Sequence, residues 1–424
     1  IPGVRSLELQ AAYRFEEFRN KDNFTKATSQ FDNNGDVRLT LRYQPVDWIT
    51  MRASFGESFL SPSPGQLFAP IAENFPQLFD PRTGRVLQPA EGVVQGGNPN
   101  LGPETTETYT AGIVLTPKFV PGLTVTADLY QLFTRNVILG SADFAAIVLT
   151  QNGQFLLDNP GAPPQAAPFG APFGANFNES PTAPTRVLRE EGTFIPLRIE
   201  GANTQNAGKR LVNGLDVTAA YQLPWTTFGT FTVSLGYNYF FTWKAEPAPG
   251  VGTTNFLGDY NNGTVPLAPG ALPYHKGFLR GEYEWKGLNF IATTNYISSF
   301  YDDPAFLNAE FVATRGTLRT VSDYITLDLQ LRYEFVKPEM EPAAEAGFSK
   351  DAKGGKAMQT EAVAGIDQGS FFQRMLWGTS IRVGVVNAFD RQPPTVLGAF
   401  NDNYDTSLYS IRNRYYYVGI NKKF

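Results

Sequence analysis

The residues of this chain that could do chemistry are strung along alternating stretches, and no group of them has the make-up of a catalytic or metal centre. There is no cysteine, which removes thiolate nucleophiles, thiolate metal ligands and disulfides. A single histidine, His275 in Pro273-Tyr274-His275-Lys276, is left for any histidine-dependent step. A Ser–His hydrolase would use it as general base. No serine has a nucleophile-elbow context, so His275 is expected to make a structural hydrogen bond. Asp32-Asn33-Asn34-Gly35-Asp36 offers oxygen ligands of the kind that hold Ca²⁺. It lacks the downstream bidentate Glu, and an Asn-Gly loop tip is the simpler reading. The repeat Ala167-Pro168-Phe169-Gly170-Ala171-Pro172-Phe173-Gly174 either presents aromatics to a ligand or is a stiff low-complexity loop. No catalytic, cofactor-binding or metal residue is therefore expected, and the chain is not expected to be an enzyme.

What remains is a set of charged positions of both signs: Glu8, Arg14, Arg38, Arg42, Arg52, Asp128, Asp216, Arg280, Glu282, Asp328, Arg332, Glu334 and Arg382. Each alternates with apolar neighbours. Leu39 and Leu41 flank Thr40 between Arg38 and Arg42, and Ile325, Leu327, Leu329, Leu331 and Tyr333 alternate with Thr326, Asp328, Gln330, Arg332 and Glu334. A period of two places apolar side chains on one face of a strand and polar ones on the other. The last stretch is the same: Tyr416, Val418 and Ile420 oppose Tyr415, Tyr417, Gly419 and Asn421. About twelve such segments occur. Mean hydropathy is -0.23 and no long apolar run is present, so no transmembrane helix is expected. A transmembrane barrel hides from hydropathy because its apolar residues alternate with polar ones. The net charge of -5 does not point to nucleic acid.

Connection lengths support that fold. Turns near Trp48, Gly122, Trp225 and Lys286 are short, whereas residues 19–35, 60–103, 138–209, 245–273, 301–321 and 391–411 form long loops. Trp48, Trp225, Trp285 and Trp377 fall beside the short turns, as an interfacial girdle would. One connection departs from the pattern. Residues 337–374 are long, charged and low in complexity, an insertion on the short-turn side.

Four segments carry a family resemblance. NPNLGPETTETYTAGIVL (Asn98–Leu115), Arg210–Val217, Gly384–Asp390 and the closing YYYVGINKKF occur in the order seen in TonB-dependent outer-membrane receptors, which the chain resembles over nearly its whole length. The resemblance implies an all-β, transmembrane antiparallel barrel. About twelve strands would be present here of the roughly 22 typical of plugged transporters, with the plug domain absent from this chain. It implies active uptake of a siderophore, cobalamin, glycan or peptide, with TonB acting through the plug. It also implies an outer-membrane location with the C-terminus periplasmic and the long loops extracellular. Implied partners are outer-membrane lipid, the chain's own N-terminal plug, TonB and the substrate, with no nucleic acid and no cofactor. Arg38, Arg42, Arg52, Asp128, Asp216, Arg280, Glu282, Asp328, Arg332 and Arg382 would face the lumen toward plug or substrate. Ile1-Pro2-Gly3-Val4 echoes the turn Val120-Pro121-Gly122-Leu123, so the missing strands and plug are expected N-terminal to Ile1. The rival is a self-contained twelve-stranded porin or outer-membrane enzyme, which requires the first strand to pair with the last.

Overall fold

The computed structural model describes residues 3–33, 35–158, 186–223, 227–247, 252–261, 267–302, 319–336, 375–399 and 403–423. The insertion at 337–374, the Ala167–Gly174 repeat and Trp225 lie outside the described residues.

Twelve strands form one antiparallel meander. They are β1 (Ser6–Arg14), β2 (Asp36–Val46), β3 (Ile49–Leu60), β4 (Glu104–Leu115), β5 (Leu123–Leu139) and β6 (Gln205–Leu223). The meander continues with β7 (Thr230–Glu246), β8 (His275–Trp285), β9 (Leu288–Ile297), β10 (Tyr324–Glu334), β11 (Thr379–Val386) and β12 (Tyr415–Lys422). A short segment, Thr254–Asn255, adds to β7. Among the described residues β1 pairs only with β2 and β12 only with β11. The closed ring that a self-contained twelve-stranded pore requires is not formed.

The period of two explains the faces. Leu7, Leu9 and Tyr13 on β1, and Tyr416, Val418 and Ile420 on β12, are largely exposed on the apolar face. That is how strands look when their solvent on that side is hydrocarbon. Hydrogen-bonded partners share a face, so the polar face can be followed strand to strand through Glu8, Arg42, Arg52, Gly112, Asp128, Asp216, Asn238 and Lys276. The row starts near the short-turn ends of β1–β3 and finishes at the long-loop end of β8, the stagger that tilted barrel strands produce.

Four connections at the short-turn rim share one device. Gly122, Gly229, Gly287 and Gly378 all have positive φ, between 72° and 95°. A Cβ on them would stand 2.2 Å from the Gln222 carbonyl oxygen, 2.3 Å from that of Glu284, 2.3 Å from that of Glu334 and 2.8 Å from that of Lys423. Both the left-handed backbone and the close approach demand glycine. Aromatics ring this rim, with Trp285 and Tyr333 exposed and Trp48 set edge-on to Phe119. Tyr13, Tyr109, Phe241 and Tyr296 form a second exposed set toward the long-loop rim, so the apolar band is bordered by aromatics on both sides, as outer-membrane barrels are.

The described parts of the long loops are folded. Helices α1 (Pro64–Phe68) and α2 (Ser141–Asp158) join a four-stranded sheet of Ala72–Asn74, Val93–Gln95, Arg186–Arg189 and Pro196–Glu200. This first lobe, from the β3–β4 and β5–β6 connections, has its own core of Leu78, Val93, Phe144, Val148, Leu149, Val187 and Ile199. A second lobe, from the β7–β8, β9–β10 and β11–β12 connections, buries Ala271, Phe300, Val321, Val396 and Tyr409. Leu267 lies between them, packed on Leu139 and Ile147 on one side and against the Trp243–Phe256 cluster on the other.

Candidate functional site

Two features can act on a solute: the polar wall and the loop cap above it. On the wall, the Arg52 guanidinium grips Asp128 with two hydrogen bonds of 2.8 and 2.5 Å. Gly112 separates them in the register, and a Cβ there would stand 1.9 Å from Asp128 Oδ1. The strand between is glycine so that the pair can close over it. Arg42 donates to Glu8 at 2.8 Å, and Arg280 to Glu282 at 2.7 Å. Asn289 then bridges Glu282 and Glu284 at 2.7 and 3.0 Å. Asp216 and Asp328 are held by amides, not cations: Asn238 donates to Asp216 at 2.5 Å and Asn295 to Asp328 at 2.9 Å.

Among the described residues Arg38, Arg332 and Arg382 make no ion pair. Arg332 and Arg382 are register neighbours near the short-turn rim, and Arg332 Nε is shielded without a partner. Three pairs thus close among the candidate charges, Asp216 and Asp328 rest on amides, and Arg38, Arg332 and Arg382 stand without an ion pair among the described residues. His275 sits on the opposite, outward face, its Nδ1 2.7 Å from the Tyr237 hydroxyl and its ring stacked on Tyr239 at 4.7 Å. Its side chain makes the structural hydrogen bond expected of it. Asn33 is likewise committed to a turn: its Oδ1 accepts from the Glu16 and Gly35 amides, and its Nδ2 donates to the Arg14 carbonyl.

The motif residues prove to be clasps between strands and cap. Asn98 donates to the Thr204 carbonyl at 3.0 Å. Asn206 brackets the Gly102 amide and carbonyl at 2.8 and 3.0 Å, and the Ile138 amide donates to Glu104 at 2.9 Å. At the other end Asn387, with φ +53°, donates its own N–H to Asp328 at 2.8 Å. The Asn387 side chain both donates to the Arg391 carbonyl and accepts from the Arg391 amide.

Residues 4–341 match the family described as TonB dependent receptor-like, beta-barrel. The chain belongs to that family. Its barrel strands therefore span a membrane. No curated protein matches the sequence. The receptor barrel is similar to solved structures at low identity. The siderophore receptor PirA from Acinetobacter baumannii is 13% identical, with 97% of this chain and 45% of that chain covered and a TM-score of 0.47. The ferric enterobactin receptor PfeA of Pseudomonas aeruginosa is 15% identical over 99% of this chain and 43% of that chain, TM-score 0.47. The FrpB iron transporter from Neisseria meningitidis is 11% identical over 99% and 43%, TM-score 0.47. The receptor barrel spans less than half the length of each.

Sequence patterning gave no sign of the strongest contact in the cap. Arg189 and Asp80, both with fully buried side chains, pair through bonds of 2.8 and 2.7 Å. Arg189 also donates to Asn152 at 2.8 Å and to the Phe194 carbonyl at 2.7 Å. Asp302 similarly gathers Arg319 and the amides of Leu397 and Gly398, while Asp405 accepts from the Ala271 amide at 2.9 Å. Each ties one long loop of the receptor barrel to another.

Asp143, in the first turn of α2, makes the joint between lobes sensitive to pH. Burial pushes its carboxyl up from 3.8, and backbone hydrogen bonds from Leu267 and Gly140 only partly offset this. A carboxyl raised in the folded state stabilises fully below its unfolded value, and that contribution is lost as pH rises through the raised value. The joint is expected to be tighter in acid than at neutral pH. Hydrogen exchange at 141–149, corrected for intrinsic rate, should show that trend in the wild type and lose it in Asp143→Asn. An identical pH response in the variant would remove Asp143 from the joint.

Proposed function

We propose that this chain is the C-terminal barrel wall of a TonB-dependent receptor that actively takes up a scarce nutrient across the bacterial outer membrane. Siderophores, cobalamin, glycans and peptides are the classes such a receptor serves. The supporting observation is the asymmetry of the two rims. Among the described residues one rim carries tight turns, four of its connections closed by a positive-φ glycine, and the other carries a cap with its own cores and interloop ion pairs. The cap would face the outside and present its loops to the solute, with the C-terminus periplasmic. The polar wall would face a plug supplied by sequence beyond this chain, through which TonB pulls. Charges on that wall, among them Arg38, Arg332 and Arg382 without an ion pair among the described residues, would meet carboxylates of the plug or the solute. The insertion at 337–374 would lie on the periplasmic side.

The lack of cysteine in this chain makes the orientation directly testable, because an introduced thiol is the only one within it and unmodified receptor serves as the labelling blank. Thr193 is exposed in the cap and Phe119 is exposed in a short turn. A membrane-impermeant maleimide added to intact cells should label Thr193→Cys and spare Phe119→Cys until the outer membrane is opened. Labelling of Phe119→Cys alone on intact cells would turn the receptor upside down and end the proposal.

A further inference from the structure

The apolar face has one chemical irregularity. Within the apolar band Gln131 on β5 and Asn213 on β6 put carboxamides on the outward face, and these two are register partners. Gln131 is exposed and has no hydrogen-bond partner among the described residues, and the Oδ1 of Asn213 beside it is shielded and has none either. Hydrocarbon offers no water to satisfy them.

A groove of about 910 Å³ opens on the same face and reaches this pair, with Phe241 on β7 beyond it. Its floor is the strand backbone left bare at Ala53 and Ala111, register partners on β3 and β4. Phe55, Tyr109 and Leu129 wall it, and it runs on across β2 to Leu9 on β1. Because hydrogen-bonded rows tilt across a barrel, the groove climbs from the short-turn end of β1 at Leu9 to the middle of β6 at Asn213. Just beyond Gln131 along β5, Arg135 pairs with Glu107 at 2.7 Å, still on the outward face. A charged pair there marks the headgroup level, so the two carboxamides lie where a lipid's acyl linkages lie.

A carboxamide offers two N–H donors and a carbonyl acceptor. Its best complement is a group with both a donor and an acceptor. An amide linkage has both, and an ester linkage has no donor. We propose that this face is a binding site for an amide-linked acyl lipid of the leaflet on the long-loop side. Its chain lies along the alanine floor, and its amide meets the exposed carboxamide of Gln131, beside Asn213. The site depends on the outward-facing assignment of β1–β6 and not on the uptake proposed above.

The test is native mass spectrometry of the intact receptor, extracted in mild detergent, delipidated and offered two matched probes. Ceramide phosphate carries an amide-linked chain, whereas phosphatidate of the same chain length carries only esters, and both have the same phosphate head. Wild type is expected to retain ceramide phosphate about tenfold over phosphatidate, the worth of one net hydrogen-bonded contact. Gln131→Leu should bring that ratio to about one, since it removes the amide partner. Ala111→Leu should lower retention of both lipids by filling the floor. Each variant puts an apolar side chain into hydrocarbon, and retained heat-modifiable mobility on gels checks that the barrel is intact. Equal retention of the two lipids by wild type, or a preference unchanged in Gln131→Leu, would overturn the site. So would a second receptor copy occupying the face in place of lipid.

Discussion

Asp80→Ala is expected to unlatch the first lobe of the cap while leaving the twelve strands in place. The Arg189 guanidinium is fully buried and spends its hydrogen bonds on Asp80, Asn152 and the Phe194 carbonyl. Removing the carboxylate strands a cation in the lobe interior, and breaking a buried pair this way costs roughly 3–5 kcal/mol. The contact joins a residue of the β3–β4 loop to one of the β5–β6 loop, so its loss frees both loops together. Hydrogen exchange should rise by two orders of magnitude or more, roughly the factor that energy implies, at 78–87, 141–152 and 186–200. Exchange in β5 and β6 below the lobe should be unchanged. A second variant separates loss of the pair from general damage. Asp80→Leu combined with Arg189→Met replaces the ions by apolar groups, and such replacements are often neutral or stabilising. The double variant is expected to recover most of the protection. Wild-type exchange in Asp80→Ala, or a double variant as open as the single, would contradict this account of the latch.

The contrast between wall and cap explains how much of the molecule could be read from its residues. The wall was legible because its information is local. Alternation at a period of two marks each strand, and a one-residue slip would put Leu329 and its companions on the polar side. The twelve strands, their order and the faces of Arg52, Asp128 and Arg332 all follow from that pattern. Pairing along the wall was less legible, because it depends on register. Nothing in the sequence near Arg52 announces Asp128, or that Gly112 lies between them. The cap was not legible at all. Its strands are mostly three to five residues long, too short to show a period. Helix α2 clusters Phe144, Ala145, Ile147, Val148 and Leu149 around nearly every side of its first turns, so no amphipathic stripe appears. The ion pair that locks the lobe joins residues 109 positions apart. A second aromatic border, at Tyr13, Tyr109 and Tyr296, was not legible either, because each lies within a strand and alternation gives a residue's face but not its depth.

Leu329→Arg is expected to prevent assembly of the barrel, whereas Gln330→Arg, one residue along, is tolerated. The two neighbours differ only in face. Leu329 pairs in register with Ala292 on β9 and Val385 on β11, so its row is apolar and outward. A cation placed near the bilayer midplane on the outer face of a barrel costs roughly 2–4 kcal/mol. Leu329 stands midway along β10, between Tyr324 and Glu334, too far from either rim for the side chain to reach water easily. Gln330 points to the other side. It accepts a hydrogen bond of 2.9 Å from the Tyr417 hydroxyl and pairs in register with Gly384. An arginine there loses that contact, at about 1 kcal/mol, but its charge enters a wall already lined with hydrated and paired ions. Refolding into bilayers of defined thickness, followed by the heat-induced mobility shift, gives the folded fraction of each variant. The expected order is wild type, then Gln330→Arg slightly below it, then Leu329→Arg far below. Equal folded fractions for the two variants would mean that β10 does not present Leu329 to lipid, and because hydrogen-bonded partners share a face, the outward assignment of its neighbours would fall with it.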